Sequence, residues 1–183
     1  MTDIFLRELE RADLPILTGW RSDRDLVSLL GGSFRHVGSE VDSRWYDAYL
    51  NSRANNVRLA ICRADDRKMI GVVYLLGIDW INRCTEFSIQ IGEASARGHG
   101  VGMKASRIAL AHAFDDLNLR RIHLTVLASN ARARSLYERI GFRAEGLFEQ
   151  AAYKNGAWVD VIPMALRSDS FRHSAEPPAR ENP

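Results

Sequence analysis

Arg97-Gly98-His99-Gly100-Val101-Gly102 separates an apolar, strand-like run from a long helix-like run. Three glycines alternate with other residues. Without side chains, they let backbone N–H groups turn inward and a ligand approach closely. A helix opening at such a loop aims its unpaired N–H groups and the positive end of its dipole at the same point. That combination attracts phosphate. The reading of the chain turns on which phosphate ligand this loop holds.

Two familiar phosphate loops are candidates for it. A Walker A loop requires G-x-x-x-x-G-K-[ST], and Lys104 does not directly follow a glycine. The dinucleotide fingerprint fits when placed on Gly100, Gly102 and Ala105. It also asks for a parallel βαβ start and an acidic residue about 20 positions on. The chain offers Leu119, Arg120 and Arg121 there.

The bulk properties bound the answer. The chain has 183 residues and a formal net charge of +2. That length suits one well-buried domain. The small charge does not fit the basic stripe of a nucleic-acid binder. No run reaches the ~18 apolar residues of a membrane span, and Met1-Thr2-Asp3-Ile4 does not open a signal peptide. Cys62 and Cys84 lie in apolar, strand-like contexts without a Cys-x-x-Cys or Cys/His spacing. They read as packing residues in a reducing cytoplasm, with no metal site.

Periodicity sets the element order. Ile4, Leu6 and Leu9 suggest a first strand. Asp13 is the expected N-cap of a helix with Pro15 in its first turn and Leu14, Leu17 and Trp20 buried. A short helix over 25–30 ends at Gly31-Gly32, and Asp42 or Ser43 is the expected cap of a helix carrying Trp45, Tyr46, Tyr49 and Leu50. Three strands follow: one around Val57, Leu59 and Ile61, one from Met69 to Ile78, and one from Thr85 to Ile91. In the last, Phe87, Ile89 and Ile91 alternate with Glu86, Ser88 and Gln90. After the glycine loop come a helix over 102–118, a strand over 121–127 and a helix from Asn130 ending at Gly141. A hairpin through Lys154-Asn155-Gly156 closes the pattern. This order predicts an α+β fold with a mixed, mostly antiparallel sheet flanked by helices. It places one domain over 1–167 and a disordered tail over 168–183.

Asn130-Ala131-Arg132-Ala133-Arg134-Ser135-Leu136-Tyr137-Glu138-Arg139-Ile140-Gly141-Phe142 supplies the second motif. Taken with [Q/R]-x-x-G-x-[G/A] at Arg97–Gly102, it resembles the GNAT family of acetyl-CoA-dependent N-acetyltransferases. Trp20-Arg21-Ser22, Glu86 and the closing Asn155-Gly156, Asp160 and Met164 are similar to the branch that includes ribosomal-protein, spermidine and amino-sugar acetyltransferases.

The resemblance implies acetyl-CoA as cosubstrate and direct transfer to a primary amine. Backbone groups of Arg97, Gly98, His99, Gly100, Val101 and Gly102 would hold the pyrophosphate. Ile89, Gln90 and Ile91 would present a splayed strand end to the acetyl carbonyl. Tyr137, which packing alone would also explain, would protonate the leaving thiolate. A phenol with pKa about 10 can give its proton to a thiolate whose acid has pKa about 8.5. Asn130 caps its helix and in the family also contacts the pantetheine arm. Arg134 is a CoA-phosphate ligand or a solvated helix-face residue. Glu86 is a proton relay through water or a solvated strand carboxylate. His123 reads as packed and His99 as solvent-facing. Some protein-acetylating relatives carry a glutamate where this chain has Thr125, which argues against a protein N-terminus as acceptor.

The acceptor is thus expected to be a small amine, an amino sugar or a polyamine, held near Trp20-Arg21 and Phe34-Arg35-His36. Few acidic residues occur in those segments, which argues against highly cationic polyamines. Protein N-terminal acetylation, a non-catalytic acyl-CoA sensor and a nucleotide-binding protein are the alternatives. A homodimer is the one macromolecular partner left open, with nucleic acid and membrane excluded.

Overall fold

A computed structural model gives the fold and describes residues 3–173. Among these, the chain begins with β1 (Ile4–Glu8), followed by α1 (Leu14–Ser22), α2 (Arg24–Ser28) and α3 (Ser39–Asn51). A meander of β2 (Val57–Arg63), β3 (Met69–Asp79) and β4 (Cys84–Ile91) comes next. After the glycine loop run α4 (Val101–Ala111), β5 (Arg121–Leu127), α5 (Ala131–Ile140), β6 (Arg143–Ala144), β7 (Phe148–Lys154), β8 (Ala157–Arg167) and α6 (Ser168–His173).

The strands form one sheet in the order β1-β2-β3-β4-β5-β8-β6, with β7 also paired to β8. Every pairing is antiparallel except β4 with β5. This is the α+β fold that the sequence predicts. The one parallel pairing is short: Cys84, Thr85 and Glu86 sit opposite Arg121, Ile122 and His123. Beyond Glu86 the two strands part, so the sheet opens at its centre.

Side-chain alternation divides the core between the two sheet faces. Phe87, Ile89 and Ile91 pack with Val101, Ala105 and Leu110 of α4 and Ile140 of α5. On the opposite face, Ala60, Cys62 and Val72 pack under Leu14 and Leu17 of α1 and Tyr46 and Tyr49 of α3. Glu86, Ser88 and Gln90 belong to that second face, paired across to Leu76, Tyr74 and Val72.

Several local expectations change. Asp13 precedes α1 but makes no cap bond to it. Its carboxylate turns back to accept from the Glu10 N–H at 2.8 Å and from both Arg7 nitrogens at 2.8 and 2.7 Å. Asp42 and Ser43 do not start α3, which opens at Gly38. Asp42 is instead fully buried and accepts from Arg21 and Thr18. In both places an arginine outcompeted the helix terminus for a carboxylate. The helix expected over 102–118 ends as a regular α-helix at Ala111 and closes with a wider π-turn over His112–Asp116. The disordered tail expected from 168 does not begin there. Ser168–His173 is helical, and Phe171 is buried with its ring 5.3 Å from that of Phe114. One aromatic anchored in the core outweighs the polar composition around it. Residues 174–183 of that expected tail lie outside the described residues.

Candidate active site

The parting of β4 from β5 creates the site. Successive residues of a strand direct their N–H groups to alternate sides. Along 87–91, those facing β5 have no strand partner once the pairing stops at Glu86. Gly71 permits close packing on the other side, since a Cβ there would lie 2.5 Å from the Gln90 carbonyl oxygen. The Arg97 guanidinium locks the strand end, donating to the Ile91 and Gly92 carbonyls at 3.0 and 2.7 Å.

The glycine loop then turns through two left-handed residues, Gly98 at φ +90° and Gly100 at φ +81°. Residues with a Cβ adopt this conformation at a cost, which is why glycine occupies both positions. No side chain caps α4, whose first bond runs from the Lys104 N–H to the Gly100 carbonyl. The start of the helix faces a groove of about 340 Å³ lined by Gly98, Gly100 and Gly102. Its charged lining is entirely basic: Arg97, Arg132 and Arg139. Arg132 and Arg139 are seven residues apart, so they share one face of α5. That spacing was the sequence signal for them. Arg134 is off this face. It donates to the Ala128 carbonyl at 3.4 Å and approaches Glu138 at 3.9 Å, and it lines neither cavity. His99 and Val101 also lie outside both linings, and the Val101 side chain is in the core.

A second cleft of about 740 Å³ opens on the other side of the gap. Its floor is the sheet face of Val72, Tyr74, Glu86, Ser88 and Gln90, and Thr125, Phe148 and Val161 form one wall. The opposite wall is the segment from Leu29 to Val37, including Arg35. Two side chains tie that segment down. Asn130 Nδ2 donates to the Leu29 carbonyl at 3.1 Å, and Lys154 reaches the Gly32 and Val27 carbonyls. Asn130 also accepts from the Ala133 N–H at 3.1 Å, so it caps α5 while holding the loop.

The two cavities share Leu29, Leu30, Ile89, Gln90, Asn130, Ala133 and Tyr137. The Tyr137 ring is buried, set edge-on to Phe87 and Phe142 with centroids at 6.5 and 5.7 Å. Burial pushes its phenol up to about 12. Glu86 is exposed on the floor of the larger cleft. Cys62 and Cys84 line neither cavity. Among the described residues no group of three His, Cys, Asp or Glu side chains could hold a metal ion, and no helix is long and apolar enough to cross a membrane.

A basic, glycine-lined groove and a separate mixed-polarity cleft that meet at one tyrosine form the plan of a two-substrate group-transfer enzyme. Comparison with known proteins specifies the group. Residues 3–143 match the family model described as an acetyltransferase (GNAT) domain. The chain is 29% identical over 175 residues to spermidine N(1)-acetyltransferase of Vibrio cholerae, covering 96% of this chain and 99% of the relative. It is 28% identical to the ribosomal-protein-serine acetyltransferase of Escherichia coli, over 73% of this chain and 75% of the relative. The crystal structure of the Vibrio cholerae spermidine N-acetyltransferase with CoA and spermine superimposes with a TM-score of 0.87, at 28% identity and over 92% of this chain and 98% of that one. The chain belongs to the GNAT acetyltransferase family and is an acetyl-CoA-dependent N-acetyltransferase.

Proposed function

We propose that the chain acetylates the primary amine of a small molecule by direct transfer at the junction of the two cavities. The observation that carries this is the shared wall: Ile89, Gln90, Asn130 and Tyr137 border both spaces. A donor in one groove and an acceptor in the other would therefore meet at these residues. Relatives named for spermidine, matched over 99% and 86% of their own length, support a polyamine as one candidate within that class.

The groove suits acetyl-CoA. Two left-handed glycines, an uncapped helix start and three arginines offer backbone N–H groups and positive charge to its phosphates. Acetyl-CoA supplies an activated acetyl group as a thioester. The unpaired N–H groups along 87–91 would polarise the thioester carbonyl, as preorganised donors do wherever negative charge develops on oxygen. The Tyr137 hydroxyl would give its proton to the departing sulfur. Glu86 would accept the proton of the acceptor ammonium through water, leaving a neutral amine to attack, and the extra N–H proton of the adduct would return to the Tyr137 oxygen as the adduct collapses. Neither cysteine is placed to carry an acetyl group.

Two outcomes follow from these roles. Arg132→Ala and Arg139→Ala each raise the KM for acetyl-CoA by roughly tenfold at unchanged kcat, because a hydrogen bond to a charged group is lost from binding alone. Steady-state kinetics at saturating amine measure this. The second concerns pH. A phenol raised to about 12 stays protonated, and so remains a competent donor, across the whole neutral and mildly alkaline range. The kcat–pH profile therefore shows no falling limb from Tyr137 below about pH 10. A falling limb near neutrality that disappears in Tyr137→Phe would contradict the assignment.

Thiol release from acetyl-CoA, followed against a panel of primary amines, tests the function itself. Turnover with at least one small amine is expected. Binding of acetyl-CoA with no amine-dependent thiol release would leave a sensor in its place.

A further inference from the structure

The charges around the acceptor cleft are mostly positive. Its charged lining consists of Arg21, Arg35 and one carboxylate, Glu86. The wall segment Gly31-Gly32-Ser33-Phe34-Arg35-His36-Val37 contains no acidic residue. Arg35 is exposed and has no ion-pair partner among the described residues.

The aromatic cluster beside the floor adds to the imbalance. Arg21 is neutralised by buried Asp42 and lies 4.5 Å from the Trp45 ring. Arg58 lies 4.4 Å from the same ring and 5.0 Å from that of Tyr74, which lines the cleft. No carboxylate pairs with Arg58 among the described residues, and its buried Nε has no hydrogen-bond partner. Arg58 thus stands without a carboxylate partner beside Tyr74, on the same sheet face as the cleft floor. A partly desolvated excess cation repels a second cation and attracts an anion more strongly than it would in water.

We infer that the acceptor carries an anionic group beside its amine, with the amine toward Glu86 and the anion toward Arg35 and the Arg21–Arg58 cluster. The inference rests on the transferase reading above and narrows its acceptor. Carboxylate and phosphate share the chemistry that a guanidinium recognises. Glu86, the only carboxylate in the lining among the described residues, suits one ammonium rather than the several of a polyamine.

The test uses the full chain and thiol release. The acceptors are a ladder of ω-amino carboxylates of increasing length, their carboxamides, the matching aminoalkyl phosphates, and spermidine. At one length, the carboxylate or the phosphate is expected to exceed its neutral counterpart in kcat/KM by about tenfold or more. Which of the two anions is preferred identifies the source. Arg35→Ala collapses that preference through KM, and Arg35→Lys restores part of it. Anionic amines no better than the carboxamides, or spermidine ahead of all of them, would overturn the inference and leave acetyl transfer intact. Failure of every amine to release thiol while acetyl-CoA still binds would refute the transferase reading itself.

Discussion

Tyr137→Phe lowers kcat by about a hundredfold or more, the usual loss when a positioned general acid is removed. The change deletes one oxygen. The ring keeps its place between Phe87 and Phe142, and the hydroxyl makes no hydrogen bond within the described residues. Folding therefore loses no polar contact, and the melting temperature holds or rises slightly. Acetyl-CoA affinity also holds, because the phosphates are bound at the glycine loop and not at the phenol. This separation distinguishes an acid from a packing residue: a packing role would move stability and leave kcat in place. Isothermal titration with CoA, a thermal melt and thiol-release kinetics on the same preparation decide between them.

Asp42→Asn has the largest expected effect on stability. Asp42 is fully buried and accepts from both Arg21 and Thr18. Its charge pairs with the Arg21 guanidinium, which lies against the Trp45 ring. Asparagine keeps the shape and removes that charge. Breaking one side of a buried ion pair costs about 3–5 kcal/mol, because the remaining cation stays desolvated. For a chain of this length the melting temperature falls by on the order of 10 °C. The double variant Asp42→Asn/Arg21→Gln recovers a large part of the loss, because it removes the stranded cation together with its partner. Denaturant melts of the two single variants and the double variant measure the coupling. A single-variant loss under about 0.5 kcal/mol, the range of ordinary surface changes, would show that the carboxylate does not hold this cluster together.

Much of the fold was legible because its signals are local. Alternation along Glu86–Ile91 gave both faces of β4, and Asn130 with Gly141 marked both ends of α5. The order of elements followed, and with it the mixed sheet. Asp13, Asp42 and Phe171 were misread for one shared reason: a partner distant in sequence or space decides what each does. Asp13 and Asp42 look like helix caps until Arg7 and Arg21 claim them. Phe171 looks like tail until Phe114 receives it.

The site divides in the same way. Tyr137, Asn130 and the glycines stand in the two motifs, Ile89–Gln90 follow only from the family resemblance, and these residues border the cavities. Sequence left Arg134 as either a phosphate ligand or a solvated helix-face residue; Arg132 and Arg139 line the groove instead, because helical phase and not residue type selects the face. Arg58 carried no sequence signal. An arginine in an alternating strand reads as solvent-facing until three aromatic rings are found around it.

The central claim is that both substrates occupy adjoining cavities at once and the acetyl group crosses directly at Tyr137. An initial-rate matrix of thiol release, with acetyl-CoA and the preferred amine varied independently, tests it most directly. The account predicts double-reciprocal lines that intersect, as a ternary complex requires. Parallel lines, with an acetylated protein detected by mass spectrometry after acetyl-CoA alone, would contradict it.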